Sequence, residues 1–202
     1  MANIAAIRSV SSSLEAYLNN AYGAATFPAG VVRPTCTFVA ASIGAAAAQT
    51  TPANEASVRV VIFLYRASIN QHLRNVGRVT EASARPVPLS VDLRYLFSFW
   101  SGSAENEQLA LAWTMRQLHE VPILDSSILS GDAAWAAEDV IQLIPEEITN
   151  EDLMRIWDAI EPGYRLSLSY IARVVRIDPD LAASGREVVA TRFDFAVPVE
   201  RR

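Results

Sequence analysis

TNEDLMRIWDAIEPGYRLSLSYIARVVRID, residues 149–178, is the stretch whose reading decides the fold. Thr149 stands where a helix N-cap belongs, and Asp152, three residues on, makes a variant of the capping box. Side chains at these two positions answer backbone N–H groups that the first turn of a helix leaves unpaired. Leu153, Ile156, Trp157 and Ile160 follow at i, i+3, i+4 and i+7, one apolar stripe on a helical repeat. After a Pro-Gly turn, Tyr164, Leu166, Leu168, Tyr170, Ala172 and Val174 alternate with Arg165, Ser167, Ser169 and Arg173. A two-residue period of that kind is a strand. The stretch predicts a helix lying on a sheet, and it offers no evident catalytic residue.

Working outward, the preceding segments supply the rest of such a sheet. Val58–Tyr65 is apolar on both faces, as a strand covered from each side requires. Leu89, Val91, Leu93, Tyr95, Phe97 and Phe99 alternate with Ser90, Asp92, Arg94 and Ser98, which predicts one buried and one partly polar face. Between them, 75–88 reads as a connecting loop. Ile4, Ile7, Leu14, Leu18 and Ala21 form the stripe of an opening helix over 4–21, and 31–42 reads as a strand broken at Pro34. Ser103 can cap a further helix with Glu105 and Glu107 in its first turn, Leu111, Met115 and Leu118 as its core stripe, and His119 and Pro122 at its end. The region 125–138 has no single reading, although its AAWAAED can form a helical turn, and 139–145 reads as a short buried strand. The Ala-rich segment of about 43–56 reads as a flexible loop or extended arm, and 188–199 as a terminal strand closed by Pro198. Together these elements predict an α+β fold: one domain over residues 1–202, with a mixed, largely antiparallel sheet flanked by about three helices.

The composition restricts function. All 17 basic residues are Arg, dispersed along the chain, and the net charge is −5, which argues against non-specific nucleic-acid binding. Arg suits ion-paired interfaces, although genomic composition explains an absence of Lys equally well. No apolar run approaches a membrane span, and the N-terminus lacks the compact apolar core of a secretory signal, so cytoplasmic synthesis is expected. The single cysteine, Cys36, excludes an internal disulfide and reads as a small apolar strand residue. His72 and His119 have no zinc-ligand spacing, and the phosphate-loop and nucleophile-elbow motifs are missing. Glu146-Glu147, just ahead of a helix, read as carboxylates favourable to its dipole rather than as an acid/base pair. No metal, organic cofactor or catalytic centre is expected. The polar cluster Arg66, Ser68, Asn70, Gln71, Arg74 and Asn75 follows a very apolar strand. It is either an interface or ligand-binding edge, or a solvated turn held by Arg–carboxylate pairs.

Four segments, LYRASINQHLRN (64–75), PLSVDLRYLFSFW (88–100), LALAWTMRQLHEVPIL (109–124) and EEITNEDLMRIWDAIEPGYRLSLSYIARVVRID (146–178), together with their order and spacing, carry a resemblance. The chain resembles the cap, or tail-terminator, proteins of phage-tail-like contractile injection systems, from its first helix to about Asp178. The resemblance implies a fold similar to phage tail terminators and a hexameric ring on the last layer of the inner tube. It also implies contact with the surrounding sheath protein, and a place at the end of an injection particle, released or membrane-associated with it, without insertion into the bilayer. The Ala-rich segment and the 188–199 strand are the candidate arms for strand pairing with a partner. No residue carries over as catalytic. Arg66, Asn70, Arg74, Asn75 and Arg94 are the candidate interface residues. Members of that family often have further C-terminal sequence, so whatever that part does is not implied here. The alternative is a small-molecule-binding or enzymatic α+β domain that uses the cluster at 66–75.

Overall fold

A computed structural model describes residues 2–42, 56–73, 88–160 and 163–179. Within them the chain runs α1 (Ala6–Ala24), β1 (Thr35–Ala40), β2 (Ser57–Ile69), β3 (Leu89–Trp100), α2 (Ala104–Glu120), β4 (Ile123–Leu124), a short 3₁₀ turn (Gly131–Ala133), β5 (Ile141–Pro145), α3 (Asn150–Asp158) and β6 (Ser167–Ile177). The strands form one sheet in the order β1-β2-β3-β6-β5-β4. The β1–β2 pair is parallel and every other pair is antiparallel. This is the α+β architecture expected from the sequence, a mixed sheet with three helices against it. The arm at 43–55, nearly all of the loop before Pro88 and the 188–199 strand lie outside the described residues.

The sheet's first face holds the larger core. Phe38, Val60, Ile62, Leu93, Tyr95, Phe97 and Phe99 pack there beneath α1 and α2. On α1 the buried stripe is Ala6, Val10, Leu14, Leu18 and Tyr22; Ile4, assigned to it from the sequence, precedes the helix and is 82% exposed. On α2, Ser103 accepts a hydrogen bond from the Asn106 N–H as expected. The expected core residue Met115 is 45% exposed, however, and Trp113, at 5%, takes the inward position with Ala110, Thr114 and Leu118. Trp113 meets Tyr22 of α1 edge-on, ring centroids 4.8 Å apart. A large flat ring fills the gap between two helices and a sheet better than a flexible Met, and that choice sets which side of α2 turns inward.

The second face is covered by α3, nine residues long. Thr149 caps it as read: its hydroxyl accepts from the Asp152 N–H at 3.1 Å and donates to the Asp152 carboxylate at 2.8 Å. Trp157 is 2% exposed and packs with Val61, Leu96, Trp100 and Ile160. This cover corrects the expected one-sided burial of β3. Leu96 and Trp100 lie under α3, while Ser90, Asp92 and Ser98 are buried as well. The long alternation in β6 is also shorter than expected. Tyr164 precedes the strand and stands edge-on to Trp157. Farther along, two residues of β6, Arg173 and Val174, oppose one of β3, Asp92, between the Val91–Val175 and Leu93–Ala172 pairs. That bulge puts Val175, not Val174, into the core.

β1 begins after Pro34, not at Val31, because proline lacks the N–H a ladder needs. Its outer flank is occupied by α1. Asn19 accepts from the Phe38 N–H at 3.0 Å and donates to the Phe38 carbonyl at 2.8 Å, and Glu15 accepts from the Ala40 N–H at 2.9 Å. At the opposite side of the sheet the flank of β5 is met by the two-residue β4 and stops at Pro145.

Candidate interface on the second face of the sheet

Beyond the reach of α3, the second face changes from apolar to polar. Arg94, near the middle of β3, is the hub. Its Nε donates to Glu146 Oε1 at 2.7 Å and its Nη1 to Ser68 Oγ at 2.7 Å. The other Glu146 oxygen accepts from the Tyr65 hydroxyl at 2.6 Å and from Ser169 Oγ at 2.9 Å. Four elements thus meet at one carboxylate: β2, β3, β6 and the chain leaving β5. Burial alone would push the Glu146 carboxyl up, but the hydrogen bonds from Tyr65, Arg94 and Ser169 and the Arg94 charge outweigh it and hold it below its ordinary range. The same burial, together with the hydrogen bond to Glu146, raises Tyr65 to about 12.

This corrects the reading of Glu146 as a carboxylate serving a helix dipole. It is the counter-charge of Arg94, and both side chains are about four-fifths buried, at 21% and 18% exposure. A carboxylate held ionised by three donors is a poor proton acceptor and a good structural anchor. The signal for it was present in the strand residues Ser68, Arg94 and Ser169, whose polar side chains share one face of an otherwise apolar sheet.

A second cluster lies farther along the same face. Asn70 donates to both oxygens of Asp92, at 3.0 and 3.1 Å, and its own side-chain oxygen accepts from the N–H groups of His72 and Leu73. Arg173 Nε reaches Asp92 at 3.4 Å. Asn70 therefore closes the turn that ends β2, the local chemistry for which Asn is suited. Of the candidate interface residues, Asn70 and Arg94 direct their polar groups into the chain and Arg66 is exposed. Arg74 and Asn75 lie outside the described residues. Next to these networks open two clefts. One, of about 630 Å³, runs past His72, Trp135 and Arg176; the other, of about 400 Å³, lies between Arg66, Arg94 and α3, at its cap Thr149 and at Arg155.

No three His, Cys, Asp or Glu side chains converge among the described residues in a way that could hold a metal ion. Cys36 sits in β1, its thiol raised by burial to about 12, far from a reactive thiolate. The arrangement can anchor the strands and present a polar surface.

The family model for the Pvc16 N-terminal domain matches residues 9–191. The chain belongs to the Pvc16 N-terminal domain family. Two solved structures have a similar fold. One is the PVC sheath/tube terminator of an extracellular contractile injection system, in its extended state, with 18% identity and a TM-score of 0.55. The other is the tube-terminating cap of the anti-feeding prophage, with 16% identity and a TM-score of 0.51. The matches cover 96% and 94% of this Pvc16-family chain but only 65% and 59% of those two proteins. No curated protein matches the sequence. No helix among the described residues is long and apolar enough to cross a membrane.

Proposed function

We propose that the protein is a structural cap of a contractile injection particle. Its copies form a ring, six in number, that seats on the last layer of the inner tube, contacts the end of the sheath and stops further growth. The observation that carries this reading is membership of the Pvc16 N-terminal domain family. The shared fold with a sheath/tube terminator and a tube-terminating cap supports it. The physical logic is that a helical tube end repeats one unsatisfied interface, and a ring that matches it on one side only ends polymerisation.

On this reading the protein is not an enzyme, uses no cofactor, and has its own copies, the inner tube protein and the sheath protein as partners, with no nucleic acid and no direct insertion into a membrane. It is made in the cytoplasm and stays at the end of the particle. Arg66 is the candidate lateral contact, with Arg94 and Asn70 fixing the surface around it; Arg74 and Asn75 are further candidates from the sequence. The ligand-binding alternative calls for convergent free donors at 66–75. Within that stretch Asn70 instead directs its amide to Asp92.

Imaging of particles from cells with and without the gene tests the proposal. Unstable or aberrantly long tubes in its absence are expected. Normal-length, intact sheathed particles would remove the terminator role.

A further inference from the structure

Among the described residues, the outer half of β2 has no strand on one side. β1 pairs with Ser57 through Ile62, yet β2 continues to Ile69. In that outer half the β2–β3 register slips at Tyr65, which inserts one extra residue between the Leu64–Tyr95 and Arg66–Arg94 pairs. The slip changes which backbone groups face outward. The Asn70 N–H donates to the Ser90 carbonyl at 2.9 Å. In an antiparallel pair the direction alternates, so Ser68 and Arg66 turn their backbone groups toward β3 while Ala67 and Ile69 turn theirs away. Arg66, Ala67 and Ile69 are exposed, Ile69 at 55%. The edge of β1 is stopped by Glu15 and Asn19 and that of β5 by Pro145, but no such stopper stands at Ala67 or Ile69 among the described residues.

The side chains specify what would fit. Ala67 and Ile69 pair with Leu93 and Val91, so they lie on the first face, beside the apolar core. Arg66 lies on the second face, directly opposite Arg94. Like charges across a strand pair repel. Glu146 answers Arg94, whereas Arg66 forms no ion pair with the described residues. A strand laid along this edge would therefore gain by placing apolar residues beside Ala67 and Ile69 and a carboxylate beside Arg66.

We propose that Leu64–Ile69 is a docking edge for an extended segment of a partner protein in which an acidic residue alternates with apolar ones. Main-chain hydrogen bonds to Ala67 and Ile69 hold the segment, and Arg66 selects its charge. This goes beyond the cap reading and is tested on the isolated chain, so either can fail without the other.

The probe is a short synthetic peptide alternating valine with glutamate, compared with one alternating valine with lysine. Binding is followed by fluorescence anisotropy, and amide exchange is measured at Ala67 and Ile69. The glutamate peptide is expected to bind roughly fivefold to tenfold more tightly, the scale of exchanging an attractive cross-strand pair for a repulsive one. Exchange at both amides should slow on binding. Arg66→Glu, at an exposed position, should invert the peptide preference. Ala67→Pro, which removes an outward N–H and spares the β2–β3 ladder, should abolish binding. The proposal is overturned by absent binding, by equal affinity for the two peptides, or by binding that survives Ala67→Pro. Protection of Ala67 and Ile69 in the protein alone would also overturn it, because a second copy or another part of this chain would then hold the edge.

Discussion

The two faces of the sheet are built by different means. The first face is closed by two long helices, and its cohesion is apolar contact: Phe97 and Phe99 are fully buried, and Tyr22, Phe38 and Trp113 interlock edge-on or tilted. The second face has one nine-residue helix over one end. Its other end is held by an ion pair and its hydrogen bonds, centred on Arg94 and Glu146. The difference shows how one sheet can combine a stable interior with a surface fit for contact. Where α3 stops, charge and hydrogen bonding take over the task of fixing the strands, and the polar groups that do so remain close to solvent.

The largest loss of stability is expected at the first face. Phe97→Ala should cost about 4–5 kcal/mol, seen as a drop in the denaturant midpoint, because the packed ring leaves a cavity that two helices cannot collapse into. A small loss there would mean the first face is loosely packed. Trp157→Ala should cost somewhat less, about 3–4 kcal/mol, since short α3 can settle onto the vacancy. Unchanged melting of that variant would sink the helix-on-sheet assignment.

Glu146→Gln sharpens the polar side of the contrast. Removing the charge opposite Arg94 should cost about 1–2 kcal/mol at neutral pH, below the cost of breaking a fully buried pair because both groups retain some solvent contact. The sign of its pH dependence follows from the lowered carboxyl. A folded-state value below the ordinary 4.5 means that the stabilisation is complete above that value and is lost as pH falls through the folded one. Urea titrations across the acid range should therefore show the native protein losing stability faster than Glu146→Gln, the two curves converging. Parallel curves would remove Glu146 from the acid response. The smallest effect expected is that of Thr149→Ala, about 1 kcal/mol from the lost helix cap, read as a shift in melting midpoint at constant m-value.

Local signals in the sequence were sufficient where the physics is local. Thr149 and Asp152 cap α3, and Ser103 caps α2, because a cap needs only residues a turn away. The two-residue periods of β3 and β6 located both strands. Where the answer depended on a distant element, the pattern misled. Met115 and Trp113 both sit among apolar neighbours on α2, and only the position of Tyr22 on another helix decides which of them faces in. Glu146 looked like a helix-start carboxylate because Thr149 follows closely, whereas its partners Tyr65, Arg94 and Ser169 are distant in sequence. Asp92 marked a polar face correctly as a residue type, yet it is buried against Asn70, 22 residues away, a contact that no short window contains.

The hydrogen bonds from Glu15 and Asn19 to the flank of β1 have a consequence for how this protein can vary. They address the main chain of Phe38 and Ala40, which every residue but proline presents alike. The strand's side chains are thus released from any duty toward the helix edge, and Ala40 in particular can drift. Positions 15 and 19 cannot, since a side chain of different length or polarity would uncover the ladder. The burden of guarding the strand falls on two helical residues outside it, and mutational tolerance should be lopsided in the same way, wide at Ala40 and narrow at those two sites.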